Sequence, residues 1–275
     1  MSPLAYGPEA RAFVRRWRLP FLQGHRAAAG AIGALIDVSR ARAAVARERP
    51  PHPARSTARR SLRGAAGPID ERRAAQLLER YGVRRPREAV AETPEAASRI
   101  AQRLGFPVVV KALAPELPHK AKIGGVRVGI RSAQETAAAA AEVLAAARNA
   151  GARAPRVLVQ EQVDGHEVLV GAVVDERFGA CVTIRPGGAL AEAGEAAFVA
   201  CPLSRAQALA FVEAQAERAG LDPRRHDLRA VARAVEAVGR CAHDLRDRLA
   251  SLEANPLVVG RRGAIAVDAL AEARP

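Results

Sequence analysis

Lysine is nearly missing from this 275-residue chain. Of 43 basic residues only Lys111, Lys120 and Lys122 are lysine, and all three fall within twelve residues. Aromatic residues are also scarce: six Phe, two Tyr and one Trp. That leaves little material for a base-stacking platform. Phe13 and Trp17 do lie among Arg15, Arg16 and Arg18, but one such cluster is thin. Three cysteines, Cys181, Cys201 and Cys241, with no Cys-x-x-Cys spacing exclude a disulfide framework and a structural zinc knuckle. They point to a reducing, cytoplasmic setting. No run approaches 18 apolar residues, so no transmembrane helix is expected. Met1-Ser2-Pro3 opens no basic-then-apolar leader, so no secretion signal is expected.

What is present is 49% hydrophobic and 26% charged, enough for a sizeable core and too apolar for a disordered chain. The net charge of +14 invites a nucleic-acid partner, but its distribution argues against one. Residues 1–65 hold 13 arginines against Glu9, Asp37 and Glu48, a local balance of +10, which leaves +4 for the other 210 residues. Where arginine fills nearly every basic position, a cluster of lysines marks a local site that favours compact ammonium groups over planar guanidinium forks.

Two helices are predicted first, over 8–18 and 26–48, the second with Ile32, Leu35 and Ile36 as apolar anchors. Pro50-Pro51-His52-Pro53 and the Arg/Ser/Gly stretch to Gly67 read as a linker, with a domain boundary near residue 66. From Pro68 onward helices and strands mix. Asp70 caps a helix over 71–81, Thr93-Pro94 opens one ending at Gly105, and Ser132 caps one to Ala150. Strands are predicted over 107–111, 125–130, 156–162, 167–174 and 181–184. Helices follow over 205–219 and 225–248, then a strand at 250–253, a turn at Asn255-Pro256, and strands at 257–259 and 264–267. Mixed elements with hairpins imply an α+β, two-lobed fold rather than a doubly wound sheet.

Three constellations carry possible chemistry. Lys111 ends a buried strand and is followed by His119-Lys120-Ala121-Lys122-Ile123-Gly124-Gly125. Paired glycines let backbone N–H groups approach a polyphosphate, and lysines supply counter-charge. The bland reading is a hairpin with solvated lysines. Next, Gln160-Glu161-Gln162-Val163 and Asp164-Gly165-His166-Glu167 form a short segment between strands, able to present backbone groups to a flat heterocycle and a carboxylate to a ribose; solvated acids are the alternative. Third, Glu253 and Asn255 lie two apart on one face, with Asp268 at the end of a neighbouring strand. Two carboxylates and an amide oxygen suit Mg²⁺; exposed acids around an Asn-Pro turn are the alternative.

In order and spacing these strings resemble a known family. Residues 68–273 are similar to the ATP-grasp domain of nucleoside-diphosphate-forming acyl-CoA synthetases, which include the ADP-forming acetate–CoA ligases. The matching strings are PVVVKALAPELPHKAKIGGV, LVQEQVDGHEVLVGAVVDERFG, GGALAE and LEANPLVV. Residues 18–50 resemble the tail of the domain that precedes the ATP-grasp part in single-chain members. The resemblance implies a helical segment with linker over 1–65 and an ATP-grasp domain over 66–275, with a smaller lobe about 88–160 and a larger lobe about 161–275.

It further implies roles by position. Lys111 would contact ATP phosphates beneath the backbone of His119, Lys120 and Ala121 and the Gly124-Gly125 turn. Glu161 and Val163 would sit at the adenine hinge, with Glu167 near the ribose. Asn255 and Asp268 would hold Mg²⁺, with Glu253 adjacent, and His119 would be a candidate phosphoryl carrier. The family's CoA-binding Rossmann domain and phosphohistidine-bearing domain have no counterpart here, which implies a partner subunit or domain supplying both. The chain departs from the family at Arg185-Pro186-Gly187-Gly188, where Gly-Leu-Gly-Gly is usual. It departs again after Glu192, where it is one residue shorter and has Val199 in place of an arginine. These changes bear on docking of a phosphohistidine loop or acyl phosphate. Three readings stay open: a ligase component, a degenerate or regulatory ATP-binding module, and a basic nucleic-acid-binding protein.

Overall fold

The computed structural model describes residues 8–17, 25–46, 51–114, 117, 120–187 and 196–274. The chain divides into two compact units, Met1–Pro50 and Pro51–Pro275. The first contains helices α1 (Pro8–Trp17) and α2 (His25–Ala46). Ile32, Leu35 and Ile36, expected to anchor α2, are exposed. Among the described residues no helix is long and apolar enough to cross a membrane.

The second unit runs α3 (Arg55–Ser61), β1 (Gly67–Ile69), α4 (Glu71–Arg80), β2 (Glu88–Ala91), α5 (Pro94–Leu104) and β3 (Val108–Leu113). A single helical turn (Lys120–Ile123) leads to β4 (Val126–Ile130), α6 (Ala133–Asn149), β5 (Arg156–Glu161), β6 (His166–Asp175), β7 (Gly179–Pro186) and β8 (Phe198–Ala200). The order closes with α7 (Arg205–Gln215), α8 (Leu228–Asp244), β9 (Leu249–Gly260), β10 (Gly263–Ala266) and β11 (Ala269–Ala273). The helix starts follow from capping. The side chains of Asp70, Thr93 and Ser132 accept hydrogen bonds from the N–H groups of Arg73, Ala96 and Glu135.

Two sheets result. The smaller is antiparallel, in the order β2-β5-β3-β4, and the larger runs β1-β11-β9-β6-β7-β8 with β10 on β9. Each has one face in an apolar core, because strand side chains alternate. Val108, Val110 and Ala112 of β3 pack with Ile100, Val143 and Leu144 under α5 and α6. Val168, Val170 and Ala172 of β6 pack with Val231, Val235 and Val238 of α8. Val109, Leu113, Leu158, Leu169 and Val258 are buried yet belong to neither core. They lie on the second faces of the two sheets, which close on each other as a cleft. The chain crosses between lobes at 84–87 and again at 162–165.

Three features differ from the sequence reading. The stretch read as a linker contains α3, whose Ala58 and neighbouring Leu62 are buried in the larger core. The compact unit therefore begins before the expected boundary near 66. Its start is held because Asp244, 2% exposed, accepts hydrogen bonds from His52 N–H and Tyr81 Oη. The larger lobe also recruits β1 and α4, which precede the smaller lobe in sequence. Finally, Asn255-Pro256 is no turn. β9 runs straight through it, and Val168 opposes Leu257 while Val170 opposes Ala254. Two residues thus face Leu169 alone, a β-bulge, and the bulge accommodates a proline that has no N–H to give the ladder.

If α3 belongs to the folded unit, Leu62→Ala should cost about 2–4 kcal/mol, the usual range for emptying a buried leucine site. Urea unfolding of the full chain measures this; a loss under about 0.5 kcal/mol would return residues 51–66 to linker status.

Candidate functional site

Lys111 lies on the cleft face of β3 and is only 6% exposed. Its Nζ donates to the Val267 carbonyl at 2.6 Å and lies 3.4 Å from Glu71 Oε1. Lys120, 7% exposed, pairs with the other oxygen of Glu71 and with Asp268 Oδ2 at 3.2 Å. Burial pushes both ammonium groups below the ordinary lysine range, and Asp268 opposes the shift at each; Glu88 also does so at Lys111. A buried cation loses hydration and is tolerated only when fully paired. Here the pairing crosses the cleft: β3 and the helical turn belong to the smaller lobe, Glu71, Val267 and Asp268 to the larger. Gln160 Nε2 adds a 3.2 Å bond to the same Val267 carbonyl and a 2.8 Å bond to Glu88. A cavity of about 240 Å³ opens beside the pair, with Ile69, Leu113, Leu117 and Leu270 in its walls.

The two glycines act differently from the sequence expectation. Gly124 N–H bonds Ala121 O and Gly125 N–H bonds Lys120 O, so both donors close the turn instead of facing a ligand. Gly124 needs its left-handed φ of 71°. At Gly125 an added Cβ would stand 2.8 Å from Lys120 O. Ala121 and Lys122 are exposed at the rim. His119 lies outside the described residues.

On the larger sheet, Glu253 of β9 faces the cleft in register with Gly171 and Leu270. Burial raises its pKa; Arg185 opposes this, and the nearby charge of Asp268 adds to it. Asp268 Oδ1 also accepts from Ala269 N–H at 2.8 Å, and Asn255 N–H bonds Asp268 O at 3.1 Å. Asn255 Oδ1 is buried without a hydrogen-bond partner. Among the described residues no three His, Cys, Asp or Glu side chains gather as a metal cluster. The candidate set is instead two mutually repelling carboxylates and an orphaned amide oxygen. Hard oxygen donors of this kind fit Mg²⁺.

At the hinge, Glu161 accepts from the N–H of Arg87 at 2.9 Å and from its Nε at 2.7 Å. Against the cost of partial burial, those bonds hold its carboxyl below the ordinary range. The pair staples the two interlobe crossings together. Val163 is partly buried there, and Glu167 is exposed on the cleft face of β6. The structure thus gathers Lys111, Lys120, Glu253, Asn255 and Asp268 at one end, with Glu161, Val163 and Glu167 at the hinge. Sequence reading missed Glu71 and Arg87, quoted Gln160 without giving it a role, and took Arg185 only as a departure bearing on docking. Glu71 follows the helix cap Asp70, which accounted for the local acidity and hid its reach across the cleft.

Folding raises the Glu253 pKa, so between the unfolded and folded values the folded chain holds more protons and stability falls as pH rises. Glu253→Gln should therefore unfold at a higher temperature than wild type near pH 7, with the gap closing at about pH 3, below the ordinary glutamate range. Thermal unfolding between about pH 3 and about pH 7 checks this; parallel curves would remove the burial effect.

Comparison with known proteins places this geometry. Residues 61–272 match the family model of an ATP-grasp domain. The beta subunit of ADP-forming acetate–CoA ligase I from Pyrococcus furiosus is 30% identical over 210 residues, spanning 74% of this chain and 90% of that protein. Among solved structures, a dinucleotide-forming acetyl-coenzyme A synthetase 1 of Candidatus Korarchaeum cryptofilum with coenzyme A and Ca-AMPCP aligns with a TM-score of 0.72. The identity is 27%, over 80% of this chain and 100% of that one. The same enzyme with coenzyme A and Mg-AMPPCP, its phosphohistidine segment pointing towards the nucleotide binding site, aligns with a TM-score of 0.64 at 26% identity over 77% and 95%. With two facing sheets and a match over nearly all of its second unit, this chain belongs to the ATP-grasp family, and its relatives there are ADP-forming acetate–CoA ligases.

Proposed function

We propose that this chain binds Mg·ATP between its lobes and moves the terminal phosphoryl group, as the nucleotide-handling part of an acyl-CoA synthetase. The net reaction joins an acid and CoA with ATP to give acyl-CoA, ADP and phosphate, reversibly. The observation that carries this reading is the pair of buried lysines held by carboxylates and a backbone carbonyl across the cleft. Such cations are ready to exchange these partners for phosphate oxygens.

In this reading Glu161 and Val163 flank the base at the hinge and Glu167 serves the ribose. Lys111 and Lys120 bind and orient the phosphates, and burial strengthens their charge by excluding water. Glu253, Asn255 and Asp268 would hold Mg²⁺, which supplies neutralisation of charge on the transferred group. His119, next to Lys120 in sequence, is the proposed first acceptor, since a neutral imidazole is nucleophilic near pH 7. CoA and the acyl group are assigned to a partner, in keeping with the beta-subunit relative. The departures at Arg185 and Val199 support one alternative, a module that binds ATP without turnover. A nucleic-acid role draws only on the basic residues 1–65.

Lys111→Ala should weaken Mg·ATP binding by about 2 kcal/mol, the loss of a charge-assisted hydrogen bond. Calorimetry showing unchanged affinity would remove Lys111 from the site. With γ-labelled ATP and Mg²⁺ the chain should acquire an acid-labile label that is lost in His119→Ala, and acyl-CoA should form only when a CoA-binding partner is added. Acyl-CoA made by the chain alone would overturn the division of labour; binding without turnover in the full complex would favour the alternative.

A further inference from the structure

Among the described residues, four buried side-chain atoms lack a hydrogen-bond partner: Arg85 Nε, Thr183 Oγ1, Arg185 Nε and Asn255 Oδ1. Arg85 still pairs with Glu79 and Glu88. The other three share the cleft surface of the larger sheet. The register shows why. Thr183 of β7 opposes Gly171 of β6, which opposes Glu253 of β9, while Arg185 opposes Leu169 beside the Asn255-Pro256 bulge. The alternate residues Val168, Val170, Ala172, Val182 and Ile184 fill the core on the other face. Native proteins leave few buried polar groups unsatisfied, so three on one surface call for a ligand.

Arg185 is the most demanding of them. Its guanidinium makes no hydrogen bond or ion pair with any described residue. Its backbone is held where it is, because an added Cβ at Gly187 would meet the backbone of Glu167 and Val168 at 2.8 Å. Gly171 separates Thr183 from Glu253 without a side chain of its own, and Leu169 Cδ2 packs over it, 3.1 Å from where a Cβ would stand. The strand order β11-β9-β6-β7 puts Asp268, just before β11, on one side of Glu253 and Arg185 of β7 on the other. Since Asp268 pairs with Lys120, the charges follow the order Lys111 and Lys120, Asp268, Glu253, Arg185. Cations stand at both ends of a floor of oxygen donors. A chain of phosphates with a divalent ion over its middle complements that order, and a planar guanidinium fork suits the terminal phosphoryl oxygens.

We propose that Arg185 binds the terminal phosphoryl group of the nucleotide, across the strands of the larger sheet from the lysine pair, and so favours triphosphate over diphosphate. This rests on the nucleotide reading above and names a contact within it. Arg185 stands where the family resemblance leads one to expect glycine, which makes the contact a property of this chain.

The test is calorimetry on the full chain with Mg²⁺, using ADP, β,γ-methylene-ATP, and inorganic phosphate added to the ADP complex. Wild type, Arg185→Gln and Arg185→Lys are compared. Arg185→Gln should bind ADP as wild type does and lose about tenfold or more for the triphosphate analogue; Arg185→Lys should recover part of that loss. Thermal unfolding of the ligand-free variants checks that each is folded at the temperature of the titration. Equal changes for both nucleotides, or none for either, would overturn the proposal while leaving the nucleotide reading standing. Arginine dependence confined to inorganic phosphate would assign the residue to a separate anion and overturn it too. Wild type that binds neither nucleotide would overturn the nucleotide reading and this inference together.

Discussion

Two ammonium groups buried between two sheets constrain much of this structure. Lys111 and Lys120 come from the smaller lobe, and Glu71, Val267 and Asp268 from the larger. Removing either side would leave charge stranded at low dielectric, a penalty of several kcal/mol per ion. The arrangement therefore fixes the start of α4, the link between β10 and β11, and the turn after β3 relative to one another. On the proposed reading, an incoming polyanion would bring the charge that Glu71 supplies to the two lysines here.

The rest of the cleft shows the same economy of paired and unpaired groups. The hinge end is satisfied: Glu161 accepts twice from Arg87, and Arg87 also donates to Leu104 O. That end is fixed, and the proposed reading gives it the flat, neutral base. The cleft face of the larger sheet is left incomplete, with Asn255 Oδ1, Thr183 Oγ1 and Arg185 Nε lacking partners and Glu253 shifted towards its neutral form. On the nucleotide reading proposed above, a fixed hinge and unmet polar groups on the larger sheet suit binding energy directed at charged, transferable groups.

The sequence reading failed where local chemistry was read without its partners. Consecutive prolines look like a linker until Ala58 and Leu62 are seen packed in the larger core, with His52 N–H on a buried Asp244. Asn-Pro looks like a turn until paired strands on both sides carry it through as a bulge. Gly-Gly looks like a phosphate cradle until its N–H groups are found closing their own turn. In the first two cases a long-range contact overrode a correct local preference; in the third the turn's own hydrogen bonds took the donors.

By itself the sequence determined the helix starts, through Asp70, Thr93 and Ser132, and the mixed α/β order, through alternating and buried apolar runs. The family likeness rested on four strings, and the scarcity of lysine already singled out Lys111 and Lys120, because both are written in local spacing. Only the tertiary structure decided that Glu71 is their counter-ion, since it lies 40 residues from Lys111 and no spacing rule joins them. The same holds for Arg185. Its residue type was plain, but whether its charge is paired depends on what β6, β9 and β11 bring to the same face of the sheet.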